Sequence, residues 1–304
     1  MDTIGRGAEP LSHNRKKTSF VKACKPYLFL LPIIAFAVVF VYYPFIRTFL
    51  YSFSLVNAKG DIMGFVGFEN FGQLFQNQVF GMAIKNTLFL TAMFVPLNLF
   101  FSLSCALLAN KKRPLSGIYE TMFTMPMAVS MPAAAMIFKI LLNPTVGIVN
   151  HYLGINIGWY TDKKFAIYGI LLLCLWMGLA FDFLLFLSAV RAVPEQLMES
   201  ATIDGAGFFA RLFRIQVPLI TPTILYVVCT NIVLSMMTAG PVMIITEGGP
   251  SRSTTTLIYM MFTSGYQSSN YSQAACISVV TFLLTFGMIA LAMFFERKGV
   301  YYEQ

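Results

Sequence analysis

Residues 191–217 read Arg191-Ala-Val-Pro-Glu-Gln-Leu-Met-Glu-Ser-Ala-Thr-Ile-Asp-Gly-Ala-Gly-Phe-Phe-Ala-Arg-Leu-Phe-Arg-Ile-Gln-Val217, a polar interval between two long apolar runs. Its pattern predicts two short helices. Pro194 suits a first helical turn, where its missing N–H would have no partner anyway, and Glu195 complements the positive end of the helix dipole. Gly205 can take the left-handed conformation that ends a helix, and Gly207 adds freedom at the corner. From Phe208 the apolar pattern resumes with Phe208, Leu212 and Ile215 on one face, until Val217-Pro218 precedes the next apolar run. The interval therefore reads as a helix–turn–helix bracket. One physical use for it is to lie on lipid headgroups, with Arg211 and Arg214 at the phosphates.

The runs on either side decide the environment. Of 304 residues, 57% are hydrophobic and 11% charged, with mean hydropathy +0.71, whereas soluble domains carry about a quarter charged residues. So few charges, bunched between apolar runs, cannot supply a polar shell, and a large soluble helical protein is excluded. About 20 apolar residues at 1.5 Å rise cross a hydrocarbon core of roughly 30 Å. Six candidates lie near 27–50, 86–110, 118–142, 165–190, 218–245 and 273–295. The first follows Lys22 and Lys25 but lacks a small-residue cleavage site, so it reads as a retained span. The expected organisation is an N-terminal tail at 1–26, a membrane body at 27–295 holding the 191–217 loop, and a C-terminal tail at 296–304.

Fourteen Lys and Arg fall on the side that holds the tails and the 191–217 loop, against five on the other, with Arg47 and Lys139 inside spans. The positive-inside rule then makes both termini and the loop cytoplasmic. The net charge of +8 is explained by topology, since no basic face interleaved with aromatics points to nucleic acid. Outer connections near 51–85, 143–164 and 246–272 are too short for a catalytic domain.

The chemistry-bearing residues are sparse. Cys24, Cys105, Cys174, Cys229 and Cys276 are widely spaced and form no CxxC or disulfide framework. With only His13 and His151, a His-rich metal site or a His-based triad has little material. There is no GxxxxGK[ST] phosphate loop, so any ATP hydrolysis belongs to another subunit. Within the spans Asp182 stands out, either as a charge satisfied by a neighbouring helix or as a hydroxyl-binding carboxylate in a pathway. Asn231, Ser235 and Thr238, at i, i+4 and i+7, share one helical face, which serves a pathway or interhelical hydrogen bonding equally well. Trp176 can stack on a sugar ring or simply pack. Lys139, near an outer end, can attract a phosphate or snorkel to water, of which snorkelling is favoured, and the 18 methionines read as apolar filler.

The 191–217 loop resembles the EAA motif of binding-protein-dependent ABC importer permeases: Glu-Ala-Ala, three residues, Gly, nine residues, Ile, one residue, Leu-Pro. Glu199, Ala201, Gly205, Ile215 and Pro218 keep every spacing, while Ser200 and Val217 depart from it conservatively. The likeness runs along almost the whole chain, to sugar and glycerol-3-phosphate permeases of the family that includes the larger maltose permease subunit. It is carried by Tyr43-Pro44, Ser52-Phe53, Phe65-Val-Gly-Phe-Glu-Asn-Phe71, Leu74-Phe75, Asn143-Pro144, Gly248-Gly249-Pro250 and Thr254-Thr255-Thr256-Leu257-Ile258-Tyr259. Related permeases more often carry Asn where Asp182 stands, a departure that argues against an anionic solute passing close by.

The resemblance implies an all-α membrane protein of about six helices with the type I ABC importer permease fold, multi-pass in the bacterial cytoplasmic membrane. It implies a second homologous permease subunit, two ATPase subunits that hold ATP and Mg, an extracytoplasmic solute-binding protein, and no cofactor on this chain. Glu199, Ser200, Ala201, Asp204, Gly205, Ala206, Gly207, Ile215 and Pro218 would dock on the ATPase; Trp176, Asp182, Asn231, Ser235 and Thr238 are the pathway candidates. An ion-coupled secondary transporter would need an intramembrane ion site, for which Asp182 alone is thin support. A non-transport scaffold or lipid enzyme would need no bracket at all.

Overall fold

The computed structural model describes residues 20–110 and 116–296, in two compact units divided between Arg47 and Thr48. The expected tails at 1–26 and 296–304, except Phe20 onward and Glu296, lie outside the described residues, as do Lys111 to Arg113.

The N-terminal unit is helical: α1 (Phe20–Ala37) runs through a π-helical turn (Val38–Tyr42) into α2 (Tyr43–Ser52). The wide turn sits just before Pro44. A proline lacks the N–H that would close the preceding turn, and its ring crowds the carbonyl four residues back, so the helix opens there by one residue. Phe29, Phe36, Phe40 and Val41 are all exposed. A helix so apolar around its girth is suited to lipid.

The second unit starts within α2, at Thr48, and continues into a hairpin, β1 (Ser54–Val56) and β2 (Ile62–Phe65), antiparallel with Ser54 opposite Phe65 and a bulge at Leu55/Val56. Asn57 closes its turn by accepting the N–H groups of Lys59 and Asp61, each at 2.9 Å. Then follow α3 (Glu69–Gln76), α4 (Gln78–Ala109), α5 (Ser116–Thr124), a 3-10 turn (Met125–Ala128), α6 (Met131–Leu141), α7 (Ile148–Leu153) and α8 (Ala166–Ala192). After these come α9 (Glu195–Ile203), α10 (Phe208–Arg211), a π turn (Leu212–Gln216), α11 (Val217–Leu219) and α12 (Thr221–Met236). A further π turn (Val242–Thr246), α13 (Leu257–Phe262), a last π turn (Thr263–Gln267) and α14 (Tyr271–Glu296) complete it.

Its helices are inside-out by the standard of a soluble protein. Along α4 the buried stripe includes Thr87, Thr91, Asn98 and Ser102, while Phe100, Phe101 and Leu108 face outward. The stripe's hydroxyls donate to carbonyls one turn back, Thr91 to Thr87 at 3.0 Å and Ser102 to Asn98 at 2.5 Å. Polar groups inside and apolar ones outside is the distribution that a hydrocarbon solvent selects. Leu90, Phe94, Ile170, Leu173 and Val242 form one buried cluster. Phe80, Ile232, Met236, Leu257 and Ile277 form a second, and Phe183, Phe186, Ile220 and Val227 a third.

Among the described residues four helices, Phe29–Ser52, Gln78–Ala109, Ala166–Ala192 and Tyr271–Phe295, are long and apolar enough to cross a membrane, and counting each of two bent pairs as one span brings the number to six. The bends correct the expected boundaries. The span expected at 118–142 is broken, with 105° between Ser116–Ala128 and Met131–Leu141. The break falls at Val129 and Ser130, both extended (ψ 127° and 146°), just before the Met131-Pro132 start of α6, where a proline in the first turn suits a new helix and not the continuation of an old one. The span expected at 218–245 turns by 71° at Ile220 and its helix stops at Met236. There Thr238-Ala239-Gly240-Pro241 interrupts the helix before the Val242–Thr246 turn.

Candidate functional site: an exposed helical bracket and a cavity beside Asp182

The bracket's corner follows from its backbone. Helix α9 ends at Asp204, and Gly205 takes φ +78°, in the left-handed region. The Gly205 N–H donates to the Thr202 carbonyl at 3.1 Å and the Ala206 N–H to the Ala201 carbonyl at 2.9 Å. This pair of bonds is the Schellman arrangement, which satisfies helix-end carbonyls and turns the chain away. Gly207 is extended, at φ −67° and ψ 169°, a conformation open to any residue. The Arg211 guanidinium donates to the Thr202 hydroxyl and braces α10 against α9.

Three sequence expectations for this segment need correction. Pro194 caps α9 from outside, at φ −58° and ψ 125°, and does not occupy its first turn. The buried face of the second arm is Leu212, Gln216 and Ile220, with Phe208 57% exposed and Ile215 half-buried. The π turn adds one residue to that turn, so the register after Leu212 falls on Gln216. Pro218 lies within the arm, and the chain turns two residues later, at Ile220.

Glu199, Ser200, Asp204, Gly205 and Gly207 are exposed, while Ala201, Ala206, Ile215 and Pro218 are half-buried. Beside them Ile203 is 87% and Phe209 70% exposed, and Phe208 and Phe213 also point outward. So many large apolar groups on a short polar segment mark a surface that meets something else. At the root of the bracket, Arg191 meets Glu120 of α5 at 2.5 Å and donates to the Ala109 carbonyl at the end of α4 at 3.3 Å.

Inside the bundle the remaining candidates separate. Asp182, 2% exposed, sits on α8 and accepts two amide hydrogen bonds on one oxygen, Oδ2. Asn98 of α4 donates at 2.6 Å and Asn231 of α12 at 2.7 Å. Three helices thus converge on one carboxylate. Asn98 Oδ1 and Asn231 Oδ1 are themselves buried and accept no hydrogen bond among the described residues. Gly178, one turn before Asp182, allows the approach: a Cβ there would lie 2.8 Å from the Phe94 ring and 3.0 Å from the Asn98 amide.

Asp182, Ser235 and Thr238 line a cavity of about 420 Å³ together with Cys174 and apolar groups such as Leu171, Phe181 and Leu234. Asn231 reaches it through its bond to Asp182. Thr238 lies beyond the end of α12, so the expected single helical face stops at Ser235. Trp176 packs its ring on Phe138, with centroids 5.6 Å apart, and is not a lining residue. Lys139 donates to the Ile244 carbonyl at 3.4 Å and does not line the cavity. Asn98 was not singled out from the sequence; the signal available was an amide two residues after Pro96 in an apolar run.

The Gly248-to-Tyr259 stretch forms a bonded loop over these helices. Glu247, Ser251 and Arg252 take positive φ beside Gly248. Thr254 donates to the Gly249 carbonyl at 2.8 Å, and Thr256 to the Thr238 carbonyl at 2.7 Å. From α4, Thr87 accepts the Leu257 N–H at 2.9 Å and Asn86 donates to the Thr255 carbonyl at 3.0 Å. Burial, then the Glu247 carboxylate, push the Tyr259 phenol above its ordinary range, opposed by Arg252.

The model of the binding-protein-dependent transport system inner membrane component matches residues 98–298. Similar curated proteins include the sn-glycerol-3-phosphate transport system permease proteins UgpA of Pectobacterium atrosepticum and Yersinia enterocolitica. Each is 32% identical over 282 residues, covering 91% of this chain and 96% of the relative. Among solved structures, a bacterial ABC transporter involved in import of the acidic polysaccharide alginate matches at TM-score 0.80 and 23% identity, over 91% of this chain and 98% of that one. The alginate transporter in complex with alginate pentasaccharide-bound periplasmic protein matches at TM-score 0.80 and 23% identity, over 92% and 97%. These structures share the fold of a type I importer permease.

Proposed function

The chain belongs to the family of binding-protein-dependent transport system inner membrane components, and from that premise we propose that it is one of two unlike permease subunits of an ATP-driven carbohydrate importer. The solute is a sugar, an oligosaccharide or a glycerol-3-phosphate-type compound, in keeping with the names of its relatives. A solute-binding protein delivers it to the outer loops. Two ATPase subunits, which hold ATP and Mg, dock from the cytoplasm, where both termini of this chain also lie.

The observation that carries this reading is the bracket, an exposed corner at Gly205 flanked by Glu199 and by outward Phe208 and Phe209, spaced as in the EAA motif. Closure of the ATPases would move a braced segment, and the helices continuous with it would rock and alternate access. Glu199 suits a basic group on the ATPase, and Ala201 permits close approach.

The test is co-purification of the ATPase with Glu199→Lys and Gly205→Val chains, beside binding-protein-stimulated ATP hydrolysis. Both variants should lose ATPase retention or coupling while still inserting in the membrane. Normal retention and normal coupled uptake in both would overturn the docking role. If the bracket rested on anionic headgroups instead, Glu199→Lys would be tolerated or favoured.

A further inference from the structure

The cavity beside Asp182 presents one kind of polar group. Both amide bonds to Asp182 end on Oδ2, which leaves Oδ1 to accept from the cavity that this residue lines. The Ser235 and Thr238 hydroxyls give their protons to the Ile232 and Leu234 carbonyls, at 3.0 and 3.2 Å, and so turn lone pairs outward. Behind Asp182, and outside the cavity's lining, Asn98 Oδ1 and Asn231 Oδ1 lie on fully buried side chains and accept no hydrogen bond among the described residues. Among the described residues no Lys, Arg or His lines the cavity, and the one lining side chain left to donate is the weak Cys174 thiol.

Sugar and polyol hydroxyls supply donors and carry no charge. A phosphate monoester brings acceptor oxygens and nearly two negative charges, and finds here no cation among the lining residues and one weak side-chain donor. A unit negative charge roughly 6 Å from the carboxylate, at an effective dielectric of about 20, is disfavoured on the order of 100-fold. The volume, about 420 Å³, lies in the range of small-molecule sites, roughly 300–1,000 Å³.

We infer that this cavity takes an uncharged hydroxylated solute, and that Asp182, held by Asn98 and Asn231, is the residue that excludes phosphorylated and carboxylated ones. The inference rests on the transport reading above and narrows its substrate class.

The test is equilibrium dialysis on the purified assembly of permease pair and ATPases without its binding protein, so that the permease's own selectivity is read. Matched labelled probes are glycerol against sn-glycerol 3-phosphate and glucose against glucose 6-phosphate, with maltose as a larger neutral probe. At least one neutral probe should bind, tenfold or more tighter than its phosphorylated counterpart. Asp182→Asn keeps an acceptor for both amides and should shrink that ratio by tenfold or more, while Ser235→Ala should weaken neutral binding a few-fold and leave the ratio unchanged.

Binding of a phosphorylated probe as well as its neutral partner in the wild type would overturn the proposal even if Asp182→Asn failed to assemble. So would binding of no neutral probe, or an unchanged ratio in a folded Asp182→Asn assembly. A requirement for NaCl over choline chloride would assign the acceptors to a cation and also overturn it. The ATPase co-purification test uses none of these probes, so the transporter reading stands or falls separately.

Discussion

Arg191, in the last turn of α8, reaches Glu120 of α5 at 2.5 Å and ties the helix that leads into the bracket to a different arm of the bundle. The two side chains are 35% and 30% exposed, so water screens the pair. A double-mutant cycle with Glu120→Gln and Arg191→Gln, each of which removes one charge, read by denaturation of the detergent-solubilised assembly, should give a coupling energy of about 0.2–1 kcal/mol. A coupling above about 2 kcal/mol would mean the pair is far better shielded than its exposure indicates. Because Arg191 also donates to the Ala109 carbonyl, Arg191→Gln alone should cost more than Glu120→Gln.

Gly178→Ala should destabilise the protein by about 1–3 kcal/mol, the usual cost of overpacking a tight interface. Its added methyl would sit 2.8 Å from the Phe94 ring, on the neighbouring helix. Phe94→Leu in the same chain should recover part of the loss. Thermal denaturation in detergent reads both, and a Gly178→Ala chain as stable as wild type would contradict the close approach of α4 and α8.

Thr87→Val should loosen the outer loop without unfolding the bundle. The substitution keeps shape but leaves the buried Leu257 N–H without its acceptor, at a cost of about 1–3 kcal/mol. Hydrogen exchange in a peptide spanning residues 246–262 should rise, and Thr87→Ser should restore protection. Equal protection in Thr87→Val and wild type would show that this bond does not hold the loop.

Orientation is checked by single cysteines in a cysteine-free background. A membrane-impermeant maleimide added outside should label a cysteine replacing Ser268 and spare one replacing Ser200, both exposed positions. The opposite pattern would invert the topology that the 14-to-five charge bias predicts.

What the sequence made legible follows the range of the interactions concerned. The Gly205 corner is local: a left-handed residue, its two carbonyl partners and Arg211 all fall within ten residues, so spacing and residue type sufficed. The spans were legible as composition, but their two bends were not, because a proline marks where a helix is weak without fixing how far it turns. Asp182 was visible as a charge in an apolar run. Its partners were hidden, since Asn98 lies 84 residues away and Asn231 49, and neither distance leaves a periodic trace. Thr238 misled in the other direction, because seven-residue spacing implies a shared face only while the helix continues, and this one stops at Met236.

The junction of Asn98, Asp182 and Asn231 also bears on how the molecule can move. Separating α4, α8 and α12 would strip a buried carboxylate of both amide donors, a loss of several kcal/mol in a medium that offers no replacement. Rotation at Val129-Ser130, where the backbone is extended, or flexing at the 71° bend beside Ile220 leaves the bonds to Asp182 in place. The three helices are therefore tied to one another and would rock as one body, with bending left to the two elbows, one leading from α5 into α6 and the other from the bracket into α12.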